Sequence, residues 1–232
     1  MKYIKILSAV FISLYLTTSC VNEIDNYDAP NGGVYGKIID SETNELVPLP
    51  VQGSTGAMIR LMESGTNATK SFDFYAMHDG TFKNSFVFNC DYLITVNGPF
   101  VTPGEAKVSV KGQTEVNIPV TPYARIEVSA SISGRVVSIR YQVQKTKDTY
   151  NTTEVYGYWN FAPGVDDGTA NRVGKVTVNE LNGTITFDLN NDQTFLNNLY
   201  KIQANGNKIY VRVGARTEGA INYSPVYILT VS

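Results

Sequence analysis

With 232 residues, a formal net charge of −2 and no block of lysines or arginines, the chain lacks the electrostatic footprint of a nucleic-acid binder. Two cysteines leave little material for a disulfide framework, the loop around Asp166 and Asp167 lacks the spaced Asp/Asn series of a calcium loop, and the sequence predicts no metal and no cofactor. Sparse charge beside abundant Tyr, Thr, Asn and Gly suits strands and turns more than helices.

At the N-terminus, Lys2 and Lys5 precede an apolar run over residues 6–16, followed by Thr17, Thr18, Ser19 and Cys20. The run is too short to span a bilayer and has the charge order of a secretory signal. Small residues leading into a cysteine resemble a lipobox, with Thr17 where a large aliphatic residue usually stands and Leu16 one step back. That resemblance implies a signal peptide over 1–19, acylation of Cys20, and a mature chain held to the membrane by its N-terminal lipid. Residues 20–31 are polar, acidic and without a period, which reads as a tether. Acidic residues soon after Cys20 resemble the surface-export signal of Bacteroidetes-type lipoproteins, and imply an outer-membrane, cell-surface location.

Period-two alternation begins at Val34. Strands are predicted at 34–39, 57–62, 70–75, 81–88, 91–96, 106–110 and 115–120, with Asn89, Cys90 and Asp91 as a hairpin turn. Seven short strands at this spacing predict a β-sandwich over 32–121. Cys90, between Phe88 and Tyr92, reads as a small buried hydrophobe. Pro119 and Pro122 resist a central strand and mark the domain boundary. A second sandwich over 122–232 is predicted from strands at 126–132, 137–143, 155–161, 175–178, 184–189, 208–213 and 227–231. One helix is predicted over 192–200, with Asp192 as N-cap and Phe195, Leu196 and Leu199 on one face. The expected fold class is all-β: two tandem β-sandwiches after a cleaved signal and short tether.

The residues from Val34 to Asp40, from Thr43 to Pro48, from Asp79 to Phe82 and from Asp91 to Val96 resemble a carboxypeptidase-regulatory-like, transthyretin-type sandwich, with Asn44 replacing the usual Gly. The stretch from Tyr210 to Arg216, followed by Asn222 to Pro225, resembles the last hairpin of fibronectin III or immunoglobulin-like domains. The whole chain, opening on the stretch from Asp25 to Pro30 and then Gly36 and Asp40, is similar to an uncharacterised Bacteroidetes lipoprotein family. Members of that family accompany starch-utilisation-type outer-membrane glycan importers. The resemblance implies a part in polysaccharide capture or uptake, with an importer component as partner, and it brings no catalytic residue.

No catalytic constellation emerges from the residues themselves. His78 stands beside Asp79 in a turn, with no nucleophile that the sequence can place near it. Asp166 and Asp167 are adjacent in a Gly-rich loop, where their side chains diverge and turn formation explains them. The sharpest candidate is the strand around Trp159. Alternation places Trp159 and Phe161 on one face and Tyr156 and Tyr158 on the other. With Trp159 in the core, as in immunoglobulin-like sandwiches, the two tyrosines point outward at a spacing suited to sugar rings. Tyr156, Tyr158 and Asn160, with Tyr150 and Arg216 as loop neighbours, form the predicted ligand platform. Cross-strand tyrosines also stabilise sheets without binding anything, so that reading stays open. The sequence therefore leads to a non-catalytic surface lipoprotein that binds glycan or an importer component, with a structural spacer or assembly subunit as the alternative.

Overall fold

A computed structural model describes residues 29–51, 53 and 55–231. The predicted signal, Cys20 and most of the tether lie outside the described residues. No helix among the described residues is long and apolar enough to cross a membrane.

The first sandwich holds β1 (Gly32–Asp40), β2 (Met58–Glu63), β3 (Phe72–Tyr75), β4 (Thr81–Val87), β5 (Asp91–Asn97), β6 (Phe100–Val101), β7 (Ala106–Ser109) and β8 (Gln113–Pro122). One sheet runs β4-β1-β8-β6 and the other β3-β2-β5-β7. Strict alternation in β1 buries Val34, Gly36 and Ile38 while Tyr35 and Lys37 face out. Those inward residues, with Phe82, Ile118 and Val120, meet Ile59, Leu61, Ile94 and Val96 of the facing sheet. Cys90 packs against this core while only half-buried.

Two expectations change here. The turn over 89–91 does not close a hairpin: β4 pairs β1, whereas β5 pairs β2 and β7, so the chain crosses between sheets. Alternation along each strand looks the same whether the next strand lies beside it or opposite. Nor do the prolines stay outside the sheet. Pro119 lies opposite Ile39 inside β8, tolerated because β6 pairs that strand only at Thr121 and Pro122. The two-residue strand β6 was too short to register as a period.

The second sandwich follows after Tyr123. It holds β9 (Ala124–Ser133), β10 (Val136–Lys145), β11 (Thr152–Asn160), β12 (Gly174–Val178), β13 (Asn182–Asp188), β14 (Lys208–Thr217), β15 (Ala220–Tyr223) and β16 (Tyr227–Thr230). Sheet β13-β10-β9 faces sheet β12-β11-β14-β15, with β16 also pairing β14. The short strand β15 is an addition to the seven expected. Two short helices, α1 (Gln193–Asn197) and α2 (Leu199–Ala204), extend the single predicted piece. Asp192 caps α1 by accepting from the Phe195 N–H, and Phe195 seals the core edge-on against Trp159. Trp159 is fully buried among Val155, Ile185 and Val211. The all-β, two-domain architecture stands.

The domains are stitched at their joint. Arg125 donates to both Asp40 oxygens, at 2.6 and 2.8 Å. Buried Asn222 donates to the Pro99 carbonyl at 2.6 Å and accepts from the Ala124 N–H. On the other side of the joint, the Val51 N–H donates to Asp166 at 2.8 Å.

Candidate functional site

The predicted platform is not outward. Tyr156 and Tyr158 are almost wholly buried, because the loop after β11 and the segment after β15 fold over that sheet face. Val165, Tyr210, Tyr223 and, at their margin, Ile221 and Val226 close a second small core around them. Alternation identifies which residues share a face, but not which loop returns to cover it. Asn160 is the clasp of that loop: its side chain donates to the Gly164 carbonyl and accepts from the Phe161 and Ala162 N–H groups. Tyr150 lies apart, edge-on to Tyr123 at 5.4 Å between ring centres.

A guanidinium fastens the cover. Arg212, alternating with Val211 and Val213 in β14, is completely buried and stacks 4.5 Å from the Tyr223 ring centre. It donates to the Ser224 carbonyl at 2.6 Å and the Val165 carbonyl at 3.1 Å, tying both covering segments to the sheet. Burial lowers its pKa to about 10, which leaves it charged at neutral pH. A lone Arg between valines was the one signal of this arrangement in the sequence.

The covering loop carries Asp166 and Asp167, whose side chains diverge. Asp166 accepts from Val51 of the first domain, from the Gly168 N–H and from the Asn171 amide. Asp167 turns the other way and gathers Tyr158 at 3.2 Å, Arg172 at 2.9 Å and Lys175 at 2.6 Å. Arg216 stands 3.8 Å from its second oxygen. The Arg216 Nε donates to the Tyr156 hydroxyl at 2.9 Å, and that hydroxyl donates on to Glu154. The Tyr156 hydrogen bond raises the Arg216 pKa further, while burial and Glu154 push the Tyr156 phenol up. Lys175 completes the network 3.9 Å over the Tyr156 ring. Of the five predicted residues, Tyr156, Tyr158 and Arg216 thus meet in one network. Arg172, Lys175 and Tyr223 carried no sequence signal, because their roles depend on which loops meet.

Beside this network opens a cleft of about 660 Å³ between the domains. The second domain contributes Asp166, Asp167, Asn171, Arg216, Ile221 and Tyr223. The first contributes Val51, Thr55, Met58, Asn97 and Pro99. Gly53, Gly98, Gly168 and Gly219 leave backbone open to anything bound there. The wall is amphipathic, with two carboxylates, a guanidinium and amides beside apolar patches. Among the described residues, no group of three His, Cys, Asp or Glu side chains is placed to hold a metal.

Several solved structures share this fold. A DUF3823 family protein from Parabacteroides merdae superposes with a TM-score of 0.73 at 23% identity, covering 88% of this chain and 100% of its own. A DUF3823 family protein from Bacteroides uniformis gives 0.70 at 24%, covering 88% and 100%. A second Bacteroides uniformis protein, proposed to bind carbohydrate, gives 0.70 at 22%, covering 87% and 100%. No curated protein matches the chain. The DUF3823 N-terminal domain, of a protein of unknown function, matches residues 33–121, and DUF3823_C, a domain of unknown function, matches residues 123–227. Matched in order by both halves, this two-sandwich chain belongs to the DUF3823 family.

Proposed function

We propose that the protein is a non-catalytic, lipid-anchored surface protein that binds glycan in the cleft between its two sandwiches, as an accessory to polysaccharide uptake. The observation that carries this reading is the cleft itself. Its volume of about 660 Å³ suits a short oligosaccharide, since ligand sites span roughly 300–1,000 Å³. Sugars present hydroxyl pairs beside apolar C–H faces, and the wall offers Arg216, Asp167 and Asn97 beside Val51, Met58 and Ile221. The Bacteroides uniformis neighbour proposed to bind carbohydrate supports the same direction. The lipobox-like approach to Cys20 supports the anchor and the outer-membrane, cell-surface location, and the importer complex is the expected partner.

The test is a glycan array probed with the full mature chain, alongside Arg216→Ala and Asn97→Ala. Oligosaccharide binding that weakens on the order of tenfold or more in both folded variants locates the site in the cleft; a lost charge-assisted hydrogen bond has that size. A broad array without any binding sinks the glycan reading. The spacer reading then takes its place, favoured by the Asp40–Arg125 and Asn222–Pro99 ties that hold the domains as one piece.

A further inference from the structure

Seven of the nine large exposed apolar side chains among the described residues belong to the first domain. Several share the outer face of sheet β4-β1-β8-β6. A bulge places Gly32 opposite Val87 and Val34 opposite Asn84, so β4 carries one more residue than β1 across that step. Val87 turns into the core and Phe86 and Phe88 are left outside, 75% and 45% exposed. Tyr35 pairs with Lys83 and with Glu115, which puts all three on this face beside Lys37. Met77 and Tyr75 complete a shallow groove there. Exposed apolar side chains that share one face mark an interaction surface when something covers them together.

Where the chain enters the domain suggests the cover. The Asn89 amide donates to the Asn31 side chain at 2.6 Å, so the first described residues run in beside Phe88. Between Cys20 and Asn31 an extended chain spans at most about 40 Å. We infer that this face rests on the bilayer surface that holds Cys20, with Phe86 and Phe88 inserted at the headgroup level. The inference rests on the lipoprotein reading of Cys20 and is independent of what the cleft binds. Aromatic rings beside lysines suit the interface between headgroups and acyl chains, and Lys37 and Lys83 outnumber Glu115 toward anionic lipid. A surface contact of this kind supplies a second hold beside the lipid and fixes which way the molecule faces.

The test uses the acylated full chain in vesicles of phosphatidylethanolamine and phosphatidylglycerol, in a Cys90→Ser background. A fluorophore is placed by Phe86→Cys, Phe88→Cys or, on the far domain, Ser129→Cys. Nitroxide-bearing lipids should quench the first two labels several-fold more than the third. Equal quenching at all three, or none at 86 and 88, overturns the inference while leaving the anchor intact. Shielding of these labels without lipid, growing with protein concentration, places a second copy on the face and overturns it too. A chain whose mass carries no acyl group at Cys20 overturns the anchor reading and this inference with it.

Discussion

Asp40 at the end of β1 and Arg125 near the start of β9 form a two-pronged ion pair across the domain joint, with Glu42 2.8 Å from the same guanidinium. Asp40 is nearly buried, so the pair is cut off from much of the screening that weakens surface bridges. Removing Arg125 leaves the buried Asp40 charge with only the Glu42 and Thr43 N–H groups to stabilise it. Arg125→Met is expected to cost about 3 kcal/mol, with most of the loss recovered in the Asp40→Asn/Arg125→Met double variant. Denaturant unfolding of the four members of the cycle measures both.

The same carboxylate sets part of the acid response. Burial pushes the Asp40 carboxyl up, but the Arg125 hydrogen bonds and the Glu42 and Thr43 N–H groups outweigh it and hold it below the ordinary range. Its stabilisation is present above about pH 4 and is lost as pH falls through the folded value. The unfolding midpoint of Asp40→Asn should therefore fall less steeply than wild type below pH 4. Parallel acid limbs would remove Asp40 from the account.

At the alkaline end the tyrosines act. Burial, more than any neighbour, raises the Tyr158 phenol, and burial raises Tyr223 as well. A raised folded pKa gives stability that is full below about pH 10 and is lost as pH rises beyond it. Tyr158→Phe should lose about 1 kcal/mol at neutral pH, from the Asp167 hydrogen bond, and decline less between pH 10 and 12. Thermal midpoints across that range read both effects.

Gly36 is a packing requirement rather than a turn. A β-carbon built there falls onto the Val116 carbonyl of the neighbouring strand, a backbone atom that cannot swing aside. Gly36→Ala is expected to cost about 2–3 kcal/mol by forcing β1 and β8 apart. Gly104→Ala, with nothing within 4 Å of the added methyl, should be close to neutral. Similar urea midpoints for the two variants would contradict this packing.

Trp159 offers the matching test in the second core. Trp159→Ala is expected to cost about 3–5 kcal/mol and unfold that domain first. Gly174 lies against the indole, and a β-carbon there collides with the Trp159 Nε1. Gly174→Ala should lower stability through the same core, seen as a red-shifted fluorescence of the single tryptophan. An unchanged spectrum and midpoint would place the indole elsewhere.

Much of this molecule is readable from alternation, which is local. Period two along the chain identifies the strands and sets Trp159 on the face opposite Tyr156 and Tyr158, because side chains on a strand must take opposite faces, while two prolines mark the joint near Pro122. Asp192 declares its helix by the same local logic, an oxygen within reach of a free N–H. What lies on the far side of a face is a matter of long-range closure. The loop over 161–173 buries the tyrosines, the bulge between β1 and β4 exposes Phe86 and Phe88, and Asp167 meets Arg172, Lys175 and Arg216 only once those segments are folded together. The cleft is the limiting case: its walls come from residues on average far apart in the chain, such as Val51 and Asp166, and only the docking of the two sandwiches brings their polar groups to one place.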